Sequence, residues 1–166
     1  MDRRKVLSLP ALVAFGLALA SGEAASQPFG DQIVGLWKLT SNTTKNVATG
    51  AMEKLAGEHP LGYQLFTKSE HMMFIQTAEN RKPPAGTTAT DAERVAWFKT
   101  LVAYAGSYKV EGAKVLIHFE TNATPGIPDR SYTPEISGKK LTLTADPFVN
   151  ANGQRIVSIR TFERVD

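Results

Sequence analysis

A chain of 166 residues without cysteine, of which 42% are hydrophobic and 21% charged, predicts a packed domain that no disulfide stabilises. The formal net charge is only +3, and basic residues are interspersed with acidic ones, which argues against a nucleic-acid partner. The sequence contains no metal-ligand cluster, nucleophile elbow, phosphate loop or nucleotide fingerprint, so its motifs define no reaction.

Residues 1–25 have the pattern of a cleaved export signal peptide. A basic segment at residues 3–5 precedes an apolar run of about 15 residues, too short to span a membrane core of roughly 30 Å. Small residues then predict cleavage near Ala24 or Ala25, with Ala20 as the alternative. The two arginines of the basic segment resemble a twin-arginine signal, so Sec and twin-arginine export are both open. We therefore expect a periplasmic or secreted bacterial protein without a stable membrane anchor after cleavage.

Residues 30–166 are expected to form one domain, because the roughly 140 residues left after cleavage suffice for one core but not for two. The first predicted strand covers 36–44, and a short segment follows around 47–52. The next two strands, 62–67 and 72–77, form a predicted hairpin.

A single helix is predicted after this hairpin. Thr90 and Glu93 have the spacing of a capping box, and apolar residues at helical spacing continue from Val95 through Trp97 to position 102, before Gly106 ends the helix. We expect the helix to lie over a barrel opening. Trp97 then either plugs or flanks the barrel as a core residue, or contacts a ligand as part of a lid.

Further strands are predicted at 107–111, 114–121, 131–136, 140–145 and 155–165. With the short segment counted, the total is about eight. This series, interrupted by one helix, predicts an all-β fold in which antiparallel strands close into a single barrel. The interior of such a barrel is filled by side chains or holds one small ligand.

The strand at 114–121 carries the best candidates for chemistry. Alternation puts His118 and Glu120 on one face and apolar residues at 115, 117 and 119 on the other. If the first face looks inward, His118 and Glu120 lie about 7 Å apart in the cavity, as a base and its orienting partner. If it looks outward, both are surface residues. The apolar side chains of the second face favour this alternative, because they are better suited to the interior. The three histidines have no metal-ligand spacing, so we expect no metal and no cofactor.

Other candidate ligand contacts lie on predicted strands. Tyr63, Tyr108 and Tyr132 would each offer a hydroxyl to a ligand if the ring points inward, although barrel tyrosines are more often core residues. Met72 and Met73 are adjacent and so face opposite sides of the sheet, and one of them, taken as Met73, is expected to line the cavity.

Two short signatures bracket the strands. The sequence Gly-Leu-Trp-Lys-Leu at 35–39 opens the series, and Thr-Phe-Glu-Arg at 161–164 closes it. Because a barrel pairs its first and last strands, Arg164 can lie over the face of Trp37 in a cation–π contact of about 0.5–2 kcal/mol. Arg160 lies on the same face of the last strand as Arg164. We expect Arg164 to close the barrel over Trp37 rather than to take part in catalysis.

These signatures, with the segments at 57–63 and 103–108, resemble the lipocalin-like domain family of bacteria and fungi over residues 34–165. Two positions depart from the family pattern, at Glu70 and Phe162, where a turn glycine and a tryptophan are usual. The resemblance implies a small barrel with an internal cavity. It also places a histidine near His118 and, after the following loop, an arginine like Arg130. Some relatives act as cyclases or isomerases.

The sequence thus predicts an exported, monomeric lipocalin-like barrel that binds a small apolar or amphipathic molecule in its cavity. The alternative is a cofactor-independent isomerase, cyclase or hydrolase in which His118 moves a proton and Arg130 stabilises negative charge. A third hypothesis is a filled barrel that acts as an interaction module.

Overall fold

The computed structural model describes residues 29–165, so the expected export signal at 1–25 lies outside the described part of the chain. In chain order the elements are α1 (Phe29–Ile33), β1 (Gly35–Asn46), β2 (Met52–Glu53), β3 (Leu61–Phe66), β4 (His71–Thr77), α2 (Asp91–Lys99), β5 (Leu101–Glu111), β6 (Lys114–Asn122), β7 (Arg130–Ser137), β8 (Lys140–Ala145), β9 (Phe148–Val149) and β10 (Arg155–Arg164).

The strands form one closed antiparallel barrel. Eight long strands follow in the order β1, β3, β4, β5, β6, β7, β8 and β10, and β1 pairs with β10 to complete the ring. The expected short segment around 47–52 is reduced to the two-residue strand β2, which pairs with the end of β1, while β9 pairs with the start of β10. The predicted barrel of about eight strands is confirmed.

The lower end of the barrel, where β1 begins and β10 ends, is sealed by α1 and the C-terminal residues. The Trp37 indole Nε1 donates a hydrogen bond to the carbonyl of Ile33 at 2.8 Å. The Arg164 guanidinium lies 4.2 Å from the centre of the Trp37 ring and donates to the carbonyls of Val34, at 2.9 Å, and Gln32. The contact between Trp37 and Arg164 that the sequence predicts is therefore present.

Large side chains fill the lower half of the barrel. The fully buried ones include Trp37, Phe66, Phe74, Ile117 and Phe162. They come from five of the barrel strands and meet in one cluster, with Phe74 and Phe162 edge to face at 6.2 Å between ring centres. A filled lower half confines any ligand to the upper half, where β1 ends and β10 begins.

The helix α2 lies in the connection between β4 and β5, at the upper end. Its capping box is present: the Thr90 hydroxyl accepts from the backbone N–H of Glu93 at 3.3 Å, and the Glu93 carboxylate accepts from that of Thr90 at 2.7 Å. The predicted continuation to Gly106 is wrong, since the helix ends at Lys99 and Leu101 begins β5. Residues 101–107 pair with β4 instead, which provides more backbone hydrogen bonds than a free helix end would.

Gly106 has a packing role in β5 rather than a helix-ending one. A Cβ atom at this position would lie 2.0 Å from the carbonyl oxygen of His118 on β6. Here the pairing of β5 with β6 shifts register, because Ala105 is opposite Thr121 while Gly106 is opposite Phe119. The two backbones approach too closely for any other residue.

Candidate ligand-binding cavity

The upper half of the barrel encloses a cavity of about 230 Å³. It is lined by Asn42, Thr44, Val102, Tyr104, Phe119, Asn122, Ile127, Arg130, Tyr132, Phe148, Ser158 and Arg160. These residues come from β1, β5, β6, β7, β9, β10 and the loop before β7, so five of the eight long barrel strands contribute. Four aromatic rings and two guanidinium groups dominate the lining.

The face of β6 that looks inward is the apolar one. Val115 and Ile117 are buried and Phe119 is partly buried, whereas His118 and Glu120 are exposed. The hypothesis that places His118 and Glu120 inside the cavity is therefore wrong. Both project from the outer face of the barrel, because the large apolar side chains of this strand take the interior positions.

His118 has a partner on that outer surface. Its Nδ1 is 2.9 Å from a carboxylate oxygen of Asp129, whose other oxygen accepts the backbone N–H of Phe119 at 3.0 Å. The hydrogen bond that His118 donates to Asp129 raises the pKa of His118, and the same bond lowers the pKa of Asp129. The pair of His118 and Arg130 required by the enzyme hypothesis is not formed in the cavity, since only Arg130 lines it.

Among the other predicted ligand contacts, only Tyr132 lines the cavity. Tyr63 and Met73 face outward, with 44% and 55% of their surfaces exposed, and Met72 is the buried methionine. Tyr108 points inward but belongs to the filled lower half, where its hydroxyl donates to the carbonyl of Thr67 at 2.8 Å. The expectation that Tyr63, Met73 and Tyr108 contact a cavity ligand is wrong for these reasons.

Trp97 does not reach the cavity either. Its indole Nε1 donates to the carbonyl of Lys82 at 3.0 Å, and its own carbonyl accepts from Arg81 at 3.2 Å. No side chain of α2 is buried, so this helix neither plugs the barrel nor packs on its core. Trp97 instead connects α2 to the loop that precedes it.

The inner end of the cavity is formed by a group around Arg160. Its guanidinium lies 4.5 Å from the ring centre of Phe74 and 5.8 Å from that of Tyr104, and it donates a hydrogen bond to the Tyr104 hydroxyl. Tyr104 in turn packs edge to face on Phe119, 4.7 Å between centres. Sequence analysis placed Arg160 on the face of Arg164 but gave it no role.

Arg130 lies nearer the cavity mouth. Its guanidinium is 4.1 Å from the ring centre of Phe148, and its Nη1 donates to the carbonyl of Pro128 at 3.2 Å. The stacking on Phe148 of β9 holds the charged group against an apolar surface. The short strand β9, which no sequence pattern indicated, therefore positions one wall of the cavity.

Two irregularities explain further residues that the sequence did not reveal. The register of β1 against β10 shifts between Leu39 and Ser41, so buried residues at 37 and 39 are followed by cavity-lining Asn42 and Thr44. A similar shift in β6 turns Asn122 into the cavity. Strict alternation assigns these side chains to the wrong face, and no turn residue marks either position.

Within residues 29–165, no group of three or more His, Asp or Glu side chains is placed to hold a metal ion. Neither helix of this segment is long and apolar enough to cross a membrane.

A protein-family match covers most of the chain. The model of the family described as a lipocalin-like domain matches residues 34–165, which is most of the chain and includes every barrel strand. No curated protein matches the sequence.

Proposed function

This chain belongs to the lipocalin-like domain family, and on that basis we propose that it binds a small, largely apolar molecule inside the barrel. The observation that carries the proposal is the division of the interior into a filled lower half and an upper half with a cavity of about 230 Å³. A barrel built only for stability gains most by filling its whole interior, since empty space costs free energy.

The lining indicates the character of the ligand. Val102, Phe119, Ile127 and Phe148 offer apolar contacts on several sides. The volume lies below the roughly 300–1,000 Å³ of pockets that take drug-sized molecules, so the ligand is smaller than these. Binding by a monomer is part of this proposal.

The test is binding of 1-aminoanthracene, a neutral dye whose fluorescence rises in apolar surroundings. Val102→Trp fills the cavity with an indole, and the matched control Ala103→Trp adds the same group at the next position, whose side chain lies on the opposite face of β5. We expect the wild type and Ala103→Trp to bind the dye with similar affinity and Val102→Trp to bind it at least about tenfold more weakly. Equal binding by both variants, or none by the wild type, would contradict the proposal.

Native mass spectrometry of the gently purified protein adds a second readout. A reproducible adduct of a small molecule, released on denaturation, would identify the natural ligand class, and the native mass would report whether the protein is a monomer. A dimeric mass would contradict binding by a monomer.

Export to the periplasm or the medium, by the Sec or the twin-arginine route, is part of this proposal. It is supported by the basic start and apolar run of residues 1–25. We expect the full chain, expressed with a C-terminal tag, to lose about 25 residues by intact mass and to leave the cytoplasm. Replacing Arg3 and Arg4 by lysine would stop export by the twin-arginine route and leave Sec export unchanged. An uncleaved cytoplasmic chain would contradict export.

A further inference from the structure

We propose that the ligand is a small carboxylic acid with an aromatic or branched apolar body, and that Arg160 binds its carboxylate at the inner end of the cavity. This inference rests on the proposed function and specifies the chemistry of the ligand. It follows from the charge balance of the cavity, from the donors left without partners and from the shape of the guanidinium group.

Among the described residues, the lining of the cavity has two cations and no anion. Arg130 and Arg160 both line it, and no Asp or Glu is among its lining residues. Neither arginine takes part in any of the four ion pairs found within residues 29–165. Because a guanidinium stays protonated at all pH values that proteins tolerate, the two positive charges cannot be removed by deprotonation.

The hydroxyls near Arg160 do not neutralise it. Tyr104 and Tyr132 are the titratable groups that interact with the charge of Arg160. Burial raises the pKa of Tyr104, so its phenol stays protonated at neutral pH and supplies a dipole rather than a charge. The positive charge of Arg160 is therefore solvated by the protein but not balanced by it.

The aromatic contacts of Arg160 are too weak to explain its position. A cation–π contact is weaker than the cost of moving an ion out of water into a protein interior. The contacts with Phe74 and Tyr104 therefore offset only part of that cost. A ligand anion would supply the missing attraction.

Two of the donors in the cavity lining lack partners. Among residues 29–165, three buried side-chain atoms make no hydrogen bond, namely Oε1 of Gln64, Nδ2 of Asn122 and Nε of Arg160. The latter two belong to cavity-lining residues, and both are donors. The Asn122 amide orientation is fixed, since its Oδ1 accepts the backbone N–H of Thr124 at 3.0 Å. Unpartnered donors are complementary to an acceptor oxygen.

A carboxylate fits these requirements in shape as well as in charge. The planar guanidinium presents its N–H groups as a fork that matches the two oxygens of a carboxylate. The rings of Phe119, Tyr132 and Phe148 surround the remaining space, which suits an aromatic or branched body. A volume of about 230 Å³ favours an arylalkyl acid over a long-chain fatty acid.

The experiment compares cinnamate with cinnamamide, which share their apolar body and differ in charge, as competitors of 1-aminoanthracene. We expect the wild type to bind cinnamate about tenfold or more tightly than cinnamamide, as hydrogen bonds to charged groups imply. In Arg160→Met the ratio of the two affinities falls to about one. The control Arg155→Met removes the same charge from an exposed position at the start of β10 and keeps the wild-type ratio.

Each outcome separates the inference from the proposed function. Equal affinities for cinnamate and cinnamamide in the wild type would overturn the inference and leave the proposed function standing. If the wild type bound neither the dye nor either of the two competitors, the proposed function itself would be overturned. A wild-type ratio that persists in Arg160→Met would also overturn the assignment of Arg160.

A measurement on the wild type avoids dependence on the folding of the variant. With the arginines labelled by ¹⁵N, the Nε–H signal of Arg160 is assigned by its loss in Arg160→Lys. We expect cinnamate to shift this signal and cinnamamide to leave it in place. A signal that neither compound moves would overturn contact between the ligand and Arg160.

Discussion

The exposed pair of His118 and Asp129 shows how a residue can have the right chemistry for catalysis and still lie outside the site. The two side chains retain 65% and 60% of their exposure, and their charges are screened by solvent. The raised pKa of His118 and the lowered pKa of Asp129 identify an ion pair on the surface. They do not indicate a proton-transfer site inside the barrel, because both side chains lie on its outer surface, beside an open groove of about 520 Å³.

A titration by NMR tests this pair. Asp129→Asn is expected to lower the pKa of His118 toward its ordinary value, since the hydrogen bond to the Asp129 carboxylate is the largest cause of its rise. Glu120→Gln serves as the control and should change the pKa less, because Glu120 is the smallest of the causes. Equal effects of the two variants would show that the general charge of the surface, rather than the pair, sets the pKa of His118.

The same shifts define how the pair depends on pH. A raised pKa in the folded state means that His118 stabilises the fold at low pH and loses this contribution as the pH rises through that pKa. The lowered pKa of Asp129 means that its contribution is lost as the pH falls through its own folded value. The pair therefore stabilises the fold only between these two pH values, and weakly, because both groups are exposed.

Arg160 illustrates what alternation can and cannot predict. Alternation correctly places Arg160 and Arg164 on the same face of β10. It does not show that the two side chains act at different levels of the barrel, about 13 Å apart along the strand. Arg164 therefore seals the filled end while Arg160 lies at the cavity. Where the filled part stops depends on the combined volume of side chains from all eight strands, which no single strand contains.

At the scale of elements, β5 and β6 are held together at a point that admits only glycine. In Gly106→Ala the new methyl group would meet the backbone of His118 at 2.0 Å and the nitrogen of Glu120 at 2.9 Å, neither of which can move alone. We expect a loss of about 3 kcal/mol in the free energy of unfolding, the upper end of overpacking costs, measured by urea denaturation.

Gly86→Ala is the matched control for this substitution. Gly86 lies in the loop before α2, and a Cβ atom there would have no neighbour within 4 Å. Its effect should stay within about 0.5 kcal/mol. Similar unfolding free energies for the two variants would show that β5 and β6 separate without cost at this point.

The start of α2 could be predicted from sequence, whereas its end could not. Thr90 and Glu93 form the capping box because their side chains satisfy backbone donors locally, whatever the rest of the fold does. The end at Lys99 depends on the pairing of β5 with β4, a contact between distant parts of the chain. Leu101 and Val102 are consecutive apolar residues that fit the helical and the strand period equally well.

For the whole molecule, the closed barrel was predictable because turn residues and alternation mark nearly every long strand independently. An error in one predicted strand leaves the number of strands and the closure of the barrel unchanged. The strand predicted at 107–111, for example, lacks the first half of β5. The cavity was less predictable, since it depends on two register shifts and on the short strand β9. Asn42 and Asn122 reach it only through these irregularities.

The division into a sealed lower end and an upper cavity predicts that stability and binding can be changed separately. Arg164→Met removes the cation over Trp37 and the donors to two carbonyls near α1. We expect the free energy of unfolding to fall by about 2 kcal/mol or more, since a cation–π contact and charged hydrogen bonds are lost together. The affinity for 1-aminoanthracene should stay unchanged where the variant is folded, because neither Trp37 nor Arg164 lines the cavity.

Arg155→Met again provides the control, since it removes a charge from the same strand without touching the seal. Its free energy of unfolding should match that of the wild type within about 0.5 kcal/mol. If Arg164→Met weakened dye binding while remaining as stable as this control, the lower seal would act on the cavity through the strands that connect them. Retained binding with reduced stability would instead show that the filled lower half isolates the cavity from the seal, as tight packing of Trp37, Phe66 and Phe162 implies.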